Sequence, residues 1–280
     1  MTRESSIIEL GHWLKTAPGR CLVEWELRQI DLAVADAFGF HALQLRLPQI
    51  DALRANRMPH RWTSTDTLQS PPMLDLPPVE STLTTLAPHD PLSLHCDTEA
   101  LPFPSQSIDL VVLPHTLELA RDPHETLREV ERVLVPEGRV VITGFNPASL
   151  WGLRQNFGHL RQRVGLGHRL FLPNEGEFIG FWRLRDWLRL LSFEVEIGRF
   201  GCWRPPTASP GWLERWAWID RVGERWWPVL GAVYFVVAVK RVRGMRLVGL
   251  AKRQRLATKA ATSAVATNHH SHKTHSSEPR

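Results

Sequence analysis

Residues 97–138 read DTEALPFPSQSIDLVVLPHTLELARDPHETLREVERVLVPEG, and this stretch decides the fold. Within it, Ile108–Leu113 is a nearly continuous apolar run of strand length, which is typical of a strand covered on both faces. A helix is predicted to begin at Pro123, with Asp122 as its N-cap, and to end at the break over residues 136–138. A buried strand followed by an amphipathic helix predicts an α/β unit.

The same alternation extends to both sides of this stretch. Six further segments have strand character: His41–Leu47, residues 60–65, Leu92–His95, Arg139–Thr143, Phe193–Ile197 and Ala232–Val239. A second amphipathic helix is predicted over Phe178–Leu191, and a helix over residues 149–157. We therefore expect an α/β fold with a doubly wound, mainly parallel sheet of seven strands.

Three segments are predicted along the chain. Residues 1–38 are predicted to form a helical N-terminal extension, broken at Pro18–Gly19, and residues 39–243 to form the α/β domain. Residues 244–280 lose periodicity and are predicted to be a basic, disordered tail. An irregular connection is expected over residues 70–91, which hold six prolines.

Charge and cysteine content exclude several classes of protein. The chain has 34 basic and 29 acidic residues, but residues 252–280 account for the whole excess, so the body offers no strong signal for nucleic-acid binding. Three separated cysteines give neither zinc spacing nor a disulfide framework, and no metal is expected. The longest apolar run, Val229–Val239, has 11 residues where a membrane span needs about 20. We expect a soluble, cytoplasmic protein.

The run from Asp97 to Gly138 resembles the class I S-adenosylmethionine-dependent methyltransferases, in particular their type 11, small-molecule group. Members of that group carry a D-x-x-x-L-P-F segment, then a strand of the pattern F/I-D-x-V, a turn that includes His, and a helix ending in L-x-P-G-G. The corresponding residues here begin at Asp97, Ile108, His115 and Leu134. The resemblance implies a Rossmann-like methyltransferase fold and S-adenosylmethionine as the cofactor.

The resemblance also implies roles for residues that follow the strands. Asp97 would accept a hydrogen bond from the adenine amine, the Thr98 backbone N–H would reach a ring nitrogen, and Asp66 would hold the ribose hydroxyls. His115 would contact cofactor or substrate, or else be a structural histidine. Asp109 is expected to be satisfied by backbone. No catalytic residue is assigned, because activation by the substrate's own acidity is enough for many methyl acceptors.

One segment departs from the family pattern. A glycine-rich turn normally follows the first strand, because glycine lets backbone N–H groups close on the methionine carboxylate. Here residues 43–48 read LQLRLP, with Gln44 and Arg46 where that turn is expected. Two interpretations follow. Arg46 supplies its guanidinium to the carboxylate, or the chain has lost tight cofactor binding. Gln44 and Arg46 complete the predicted cofactor-binding set.

The functional prediction is methyl transfer from S-adenosylmethionine to a small, apolar molecule. The alternative is a non-catalytic binding or regulatory protein that keeps the methyltransferase fold. A third hypothesis uses the basic segment after Lys240 for peripheral contact with a membrane or RNA. The twelve tryptophans are expected mainly to pack, with an aromatic substrate pocket as the alternative.

Overall fold

A computed structural model describes residues 3–65, 92–163, 171–173 and 178–241 of the chain. Residues 1–242 form one compact unit. The predictions for residues 70–91 and for the tail at 244–280 lie outside the described residues, so both stay predictions, as does the division at residue 38. None of the described helices has the length and apolar character that a membrane span requires.

The core of the fold is a seven-stranded sheet with the order β3-β2-β1-β4-β5-β7-β6. The strands are β1 (His41–Leu45), β2 (His60–Thr65), β3 (Leu92–His95), β4 (Ile108–Pro114), β5 (Leu134–Phe145), β6 (Phe193–Gly201) and β7 (Val233–Lys240). β1 to β5 pair in parallel, and β7 runs antiparallel to both β5 and β6. The predicted mainly parallel seven-stranded sheet is confirmed.

Helices cover both faces of this sheet. They are α1 (Arg3–Leu14), α2 (Ala17–Ala35), α3 (Pro123–Val133), α4 (Leu150–Arg163), α5 (Phe181–Leu190), α6 (Pro210–Arg215) and α7 (Trp218–Trp226). One apolar core includes α1, α2 and Trp151 of α4, and the second includes α3 and α5. The sheet is therefore doubly wound, as the alternation of strands and helices predicts.

The break between the two N-terminal helices differs from the prediction. The helix pair separates at Lys15–Thr16, and α2 already contains Pro18 and Gly19. Thr16 is the N-cap, and its hydroxyl accepts a hydrogen bond from the Gly19 N–H at 3.3 Å. Pro18 is tolerated because N–H groups in the first turn of a helix have no partner within the helix, so its missing N–H costs no hydrogen bond.

The end of α3 also differs from the prediction. Residues 136–138 do not separate the helix from the next strand, because β5 begins directly at Leu134 and includes them. This irregular start needs a left-handed backbone at Glu137, with φ of 64°. A Cβ on Gly138 would lie 2.8 Å from the Val135 carbonyl oxygen, so glycine is required there.

Candidate functional site

Three loops meet at the carboxyl edge of the sheet, where α/β proteins bind their ligands. They follow β1, β3 and β4. The Arg46 side chain joins all three, because Nη2 donates to Thr98 Oγ1 at 3.2 Å and Nη1 donates to the Leu119 carbonyl. A second link runs from Thr116 Oγ1 to the Leu45 carbonyl at 2.8 Å. Arg46, Thr98 and the loop after β4 therefore form one constellation.

Arg46 has the backbone geometry of a glycine. Its φ is 61°, which places it in the left-handed region that the family's glycine turn would use without strain. Its N–H donates to the Ser64 carbonyl at 3.0 Å, so the turn is tied to the end of β2. Arg46 is 1% exposed, so its charge is buried where these three loops converge (the crevice).

Gln44 shapes the turn that follows β1. Its buried side-chain amide donates to the carbonyls of Arg46 at 3.2 Å and Ile50 at 2.7 Å, and its Oε1 accepts from the Ala52 N–H at 3.0 Å. Residues 46–59, all of which the structure describes, contain turns and no helix between β1 and β2. The Gln44 hydrogen bonds therefore hold in place a connection that a crossover helix would otherwise form.

Asp97 lies on the loop after β3, and its side chain is exposed. Its carboxylate accepts a hydrogen bond from the Glu99 N–H at 3.2 Å, which stabilises a turn at the edge of the crevice. Thr98 beside it is fully buried and accepts from Arg46. Asp66, predicted to hold the ribose, lies outside the described residues.

The loop after Asp97 is held by α3. Glu129 accepts from the Leu101 N–H at 3.1 Å, and Arg132 donates to the carbonyls of Leu101 and Phe103 at 3.0 and 2.9 Å. The hydrogen bond from Arg132 holds the pKa of Glu129 below its usual value. Glu129 and Arg132 also pair with each other at 2.8 Å, three residues apart on α3, and together they hold the Leu101–Phe103 turn in place.

His115 is fully buried between two carboxylates. Its Nδ1 lies 2.9 Å from Glu118 Oε2, and its Nε2 lies 2.9 Å from Glu26 Oε1 on α2. Burial alone would lower the pKa of His115, but the charges of Glu26 and Glu118 outweigh burial and raise it to about 10. Burial raises the pKa of Glu118, and His115 opposes that change. Imidazolium fits this position, because each ring nitrogen lies within ion-pair distance of a buried carboxylate.

The ion network fastens α2 to the loop after β4. Both ring nitrogens of His115 face carboxylates, and its ring packs 4.4 Å from the Phe145 ring. These contacts favour the structural alternative for His115 over direct contact with a cofactor. Sequence reasoning missed Glu26. The available signal was its position, because Glu26 lies four residues from both Leu22 and Ile30 and so shares their face of the helix. All three residues are fully buried.

Stability should fall as pH rises above neutrality. The His115 pKa is about 10 in the folded chain and about 6.5 when unfolded, so its contribution is complete below pH 6.5 and is lost as pH rises through about 10. We expect the unfolding free energy to fall by up to about 1.4 kcal/mol per pH unit between pH 7 and 9. Urea unfolding at several pH values measures this slope.

Glu26→Gln should reduce this slope, and His60→Gln, at an exposed histidine, should not. An equal slope in Glu26→Gln would contradict the assignment.

Other predicted residues have structural partners. Asp109 Oδ2 accepts from the N–H groups of Phe40 and His41, both at 2.9 Å, so the expected backbone role is confirmed. Among the tryptophans, Trp151 and Trp203 are buried, as the packing interpretation predicts. That interpretation is wrong for five others, which are at least half exposed: Trp182, Trp212, Trp218, Trp226 and Trp227. Within the described part of the chain, no three His, Cys, Asp or Glu residues form a metal-binding group.

Comparison with known proteins finds similarity to one family model and to two curated proteins. Residues 60–142 match the family model of the type 11 methyltransferase domain. The match begins at β2, beyond the turn at Arg46 that departs from the family's glycine pattern. Two curated relatives are similar over short segments. Uncharacterized protein YafS of Escherichia coli is 42% identical over 105 residues, which are 38% of this chain and 40% of that protein. Malonyl-[acyl-carrier protein] O-methyltransferase of Halorhodospira halophila is 41% identical over 64 residues, which are 23% of this chain and 22% of that enzyme. In both cases the chain spans less than half of the relative's length.

Solved structures share the fold at low sequence identity. A SAM-dependent methyltransferase from Thermotoga maritima aligns with a TM-score of 0.53 at 12% identity, over 79% of this chain and 90% of that one. The YcgJ protein from Bacillus subtilis aligns with a TM-score of 0.50 at 15% identity, over 78% and 99%. The strand order, the motif run at 97–138 and the domain match agree: the chain has the methyltransferase fold, and its residues 60–142 are similar to the type 11 methyltransferase domain.

Proposed function

We propose that this chain transfers a methyl group from S-adenosylmethionine, bound across the loops that follow β1, β3 and β4. The observation that carries the proposal is the Arg46 side chain, which links those loops and sets a buried cation beside the turn where the family holds the cofactor's carboxylate. The residues present fit S-adenosylmethionine. The Arg46 guanidinium can pair with the cofactor's carboxylate, and the exposed Asp97 carboxylate can accept a hydrogen bond from the adenine amine.

The cofactor supplies a methyl group already activated on a sulfonium, so the chain's task is orientation and exclusion of water. Arg46 would fix the amino-acid end, and Asp97 with the Thr98 N–H would fix the base. The Glu26–His115–Glu118 network would keep the loop after β4 at a constant distance from both. None of these residues needs to gain or lose a proton during transfer.

We propose a small, apolar acceptor. A cavity of about 500 Å³ lies beside the turn after β1, within the usual range for small-molecule sites. Leu14, Val23, Leu27 and Ile50 contribute its apolar lining, and its charged lining comes from Lys15, Arg20, Glu24, Arg28 and Arg54. We propose that this reaction takes place in the cytoplasm. We propose a small molecule rather than a nucleic acid as the partner, because the excess of basic residues is confined to positions 252–280.

A second candidate function rests on the same arginine. A buried Arg46 side chain in place of a glycine also fits a binding or regulatory protein that keeps the fold and has given up tight cofactor binding. The two functions differ in one measurable quantity, the affinity of the unmodified chain for S-adenosylmethionine.

Calorimetric titration of the full chain with S-adenosylmethionine tests the proposal. We expect micromolar binding, and Asp97→Ala should weaken it about tenfold because it removes a hydrogen bond to the base. Asp186→Ala, at an exposed carboxylate on α5, is the matched control and should leave affinity unchanged. Failure to bind at millimolar cofactor would favour the non-catalytic function.

A further inference from the structure

Two cysteines that are distant in sequence meet where α2 packs against the end of β6. Cys21 lies in the first half of α2 and is half-buried, and Cys202 directly follows β6 and is buried. Each thiol lies close enough to shift the pKa of the other. Both line a cavity of about 330 Å³, so Cys21 is within reach of a small polar reagent.

The surroundings of the pair are charged on one side. Arg204 Nε lies 2.7 Å from Asp220 Oδ2, and Asp220 Oδ1 accepts from the Trp203 N–H at 2.9 Å. Arg204, Asp220 and Glu24 line the same cavity as the two thiols. This network fixes the backbone on the carboxyl side of Cys202, whose own carbonyl accepts from the Ala232 N–H at 3.0 Å. The second thiol is therefore held in place beside the first.

The two thiols differ in acidity. The hydrogen bond from Cys202 lowers the pKa of Cys21; burial opposes this change, and the positive charge of Arg204 adds to it. The same hydrogen bond, together with burial, raises the pKa of Cys202 well above its usual value. A partly exposed, more acidic thiol next to a buried thiol is the arrangement of a reactive cysteine and its resolving partner.

We propose that Cys21 and Cys202 form a peroxide-sensitive dithiol that closes reversibly to a disulfide. The Cys21 thiolate attacks a peroxide oxygen, so an S–O bond forms as the O–O bond breaks, and hydroxide leaves. The Cys202 sulfur then attacks Cys21, so the S–S bond forms as the S–O bond breaks, and the hydroxyl leaves with the thiol proton as water. The two thiols lose two electrons in total, and the peroxide gains them.

Disulfide formation needs the two sulfur atoms, which line the same cavity, to approach each other to about 2.05 Å. The bond would join α2 to the end of β6. Since α2 also carries Glu26, which pairs with His115 beside the crevice, oxidation would fix the helix that supports the loop after β4. The proposal concerns thiol chemistry and stands whether or not the chain transfers methyl groups.

Treatment of the full chain with one equivalent of hydrogen peroxide tests the proposal. The number of titratable thiols in the subsequently unfolded protein should fall from three to one, and dithiothreitol should restore all three. Mass spectrometry after non-reducing digestion should show the peptides of Cys21 and Cys202 joined, with the loss of two hydrogen atoms. Three remaining thiols, or a bond that includes Cys96, would overturn the proposal.

Variants separate the two roles. Cys202→Ser should accumulate a sulfenic acid at Cys21, trapped by dimedone, because the resolving thiol is gone. Cys21→Ser changes a partly exposed position, and it should leave Cys202 reduced. Cys96→Ser is the matched control, since Cys96 bonds instead to Ser64 Oγ at 3.3 Å, and it should form the bond normally. Oxidation of Cys202 in the Cys21→Ser variant at the unmodified rate would contradict the assigned order of attack.

Discussion

Replacing His115 with asparagine is expected to lower the free energy of unfolding by about 3–5 kcal/mol, because it leaves two buried carboxylates without their cation. Asparagine is the informative replacement because it tolerates the left-handed backbone at this position, where φ is 47°. The cost then reports the lost ion pairs rather than backbone strain. Urea unfolding at pH 7, followed by circular dichroism, measures it.

A double variant shows whether charge is the cause. Adding Glu26→Gln to His115→Asn neutralises one of the two stranded carboxylates, so it should recover about 1–2 kcal/mol of the loss. Glu26→Gln alone should be destabilising. The network does not carry this part of the stability if His115→Asn lowers the free energy of unfolding by less than about 1 kcal/mol. The same conclusion follows if Glu26→Gln lowers that free energy as much in the His115→Asn background as it does alone.

Replacing Arg46 with methionine is expected to weaken S-adenosylmethionine binding about 10- to 100-fold, since a buried charged hydrogen-bonding group is lost from the carboxylate's place. Methionine keeps the unbranched length of the side chain and meets the same left-handed backbone. The affinity for 5′-methylthioadenosine, which has no carboxylate, should change by less than about threefold. Titration with both ligands therefore isolates the amino-acid end of the cofactor.

Arg128→Met is the control for this experiment. Arg128 lies on α3, is exposed and pairs with Glu125, so its loss removes a cation of the same kind from outside the crevice. It should leave both affinities within about twofold. Tighter binding of S-adenosylmethionine by Arg46→Met would show that the arginine occupies the cofactor's place, which is the expectation of the non-catalytic function.

The fold was predictable from sequence because its signals are local. Ile108–Leu113 is apolar except for Asp109, because helices cover both faces of β4, and Asp122 with Pro123 marks the start of α3 wherever that helix packs. The two helices α6 and α7 were missed. α7 carries a helical period in Trp218, Val222 and Trp226, but both helices are short, and exposed tryptophans on them do not read as a buried face.

The site was less predictable because its contacts join distant segments. Nothing local to Glu26 indicates that its partner is His115, and nothing near Cys21 indicates Cys202. Arg46 was recognisable only as a departure from a glycine pattern. Its contacts with Thr98 and the Leu119 carbonyl depend on how three loops converge once the sheet has formed.

A crystal of the full chain soaked with S-adenosylhomocysteine tests the central claim most directly. We expect the ligand's carboxylate to lie against the Arg46 guanidinium and its adenine amine to lie against Asp97, over the carboxyl ends of β1 and β3. A crevice closed by Arg46 on Thr98 and Leu119, with no ligand density at millimolar concentration, would contradict the claim.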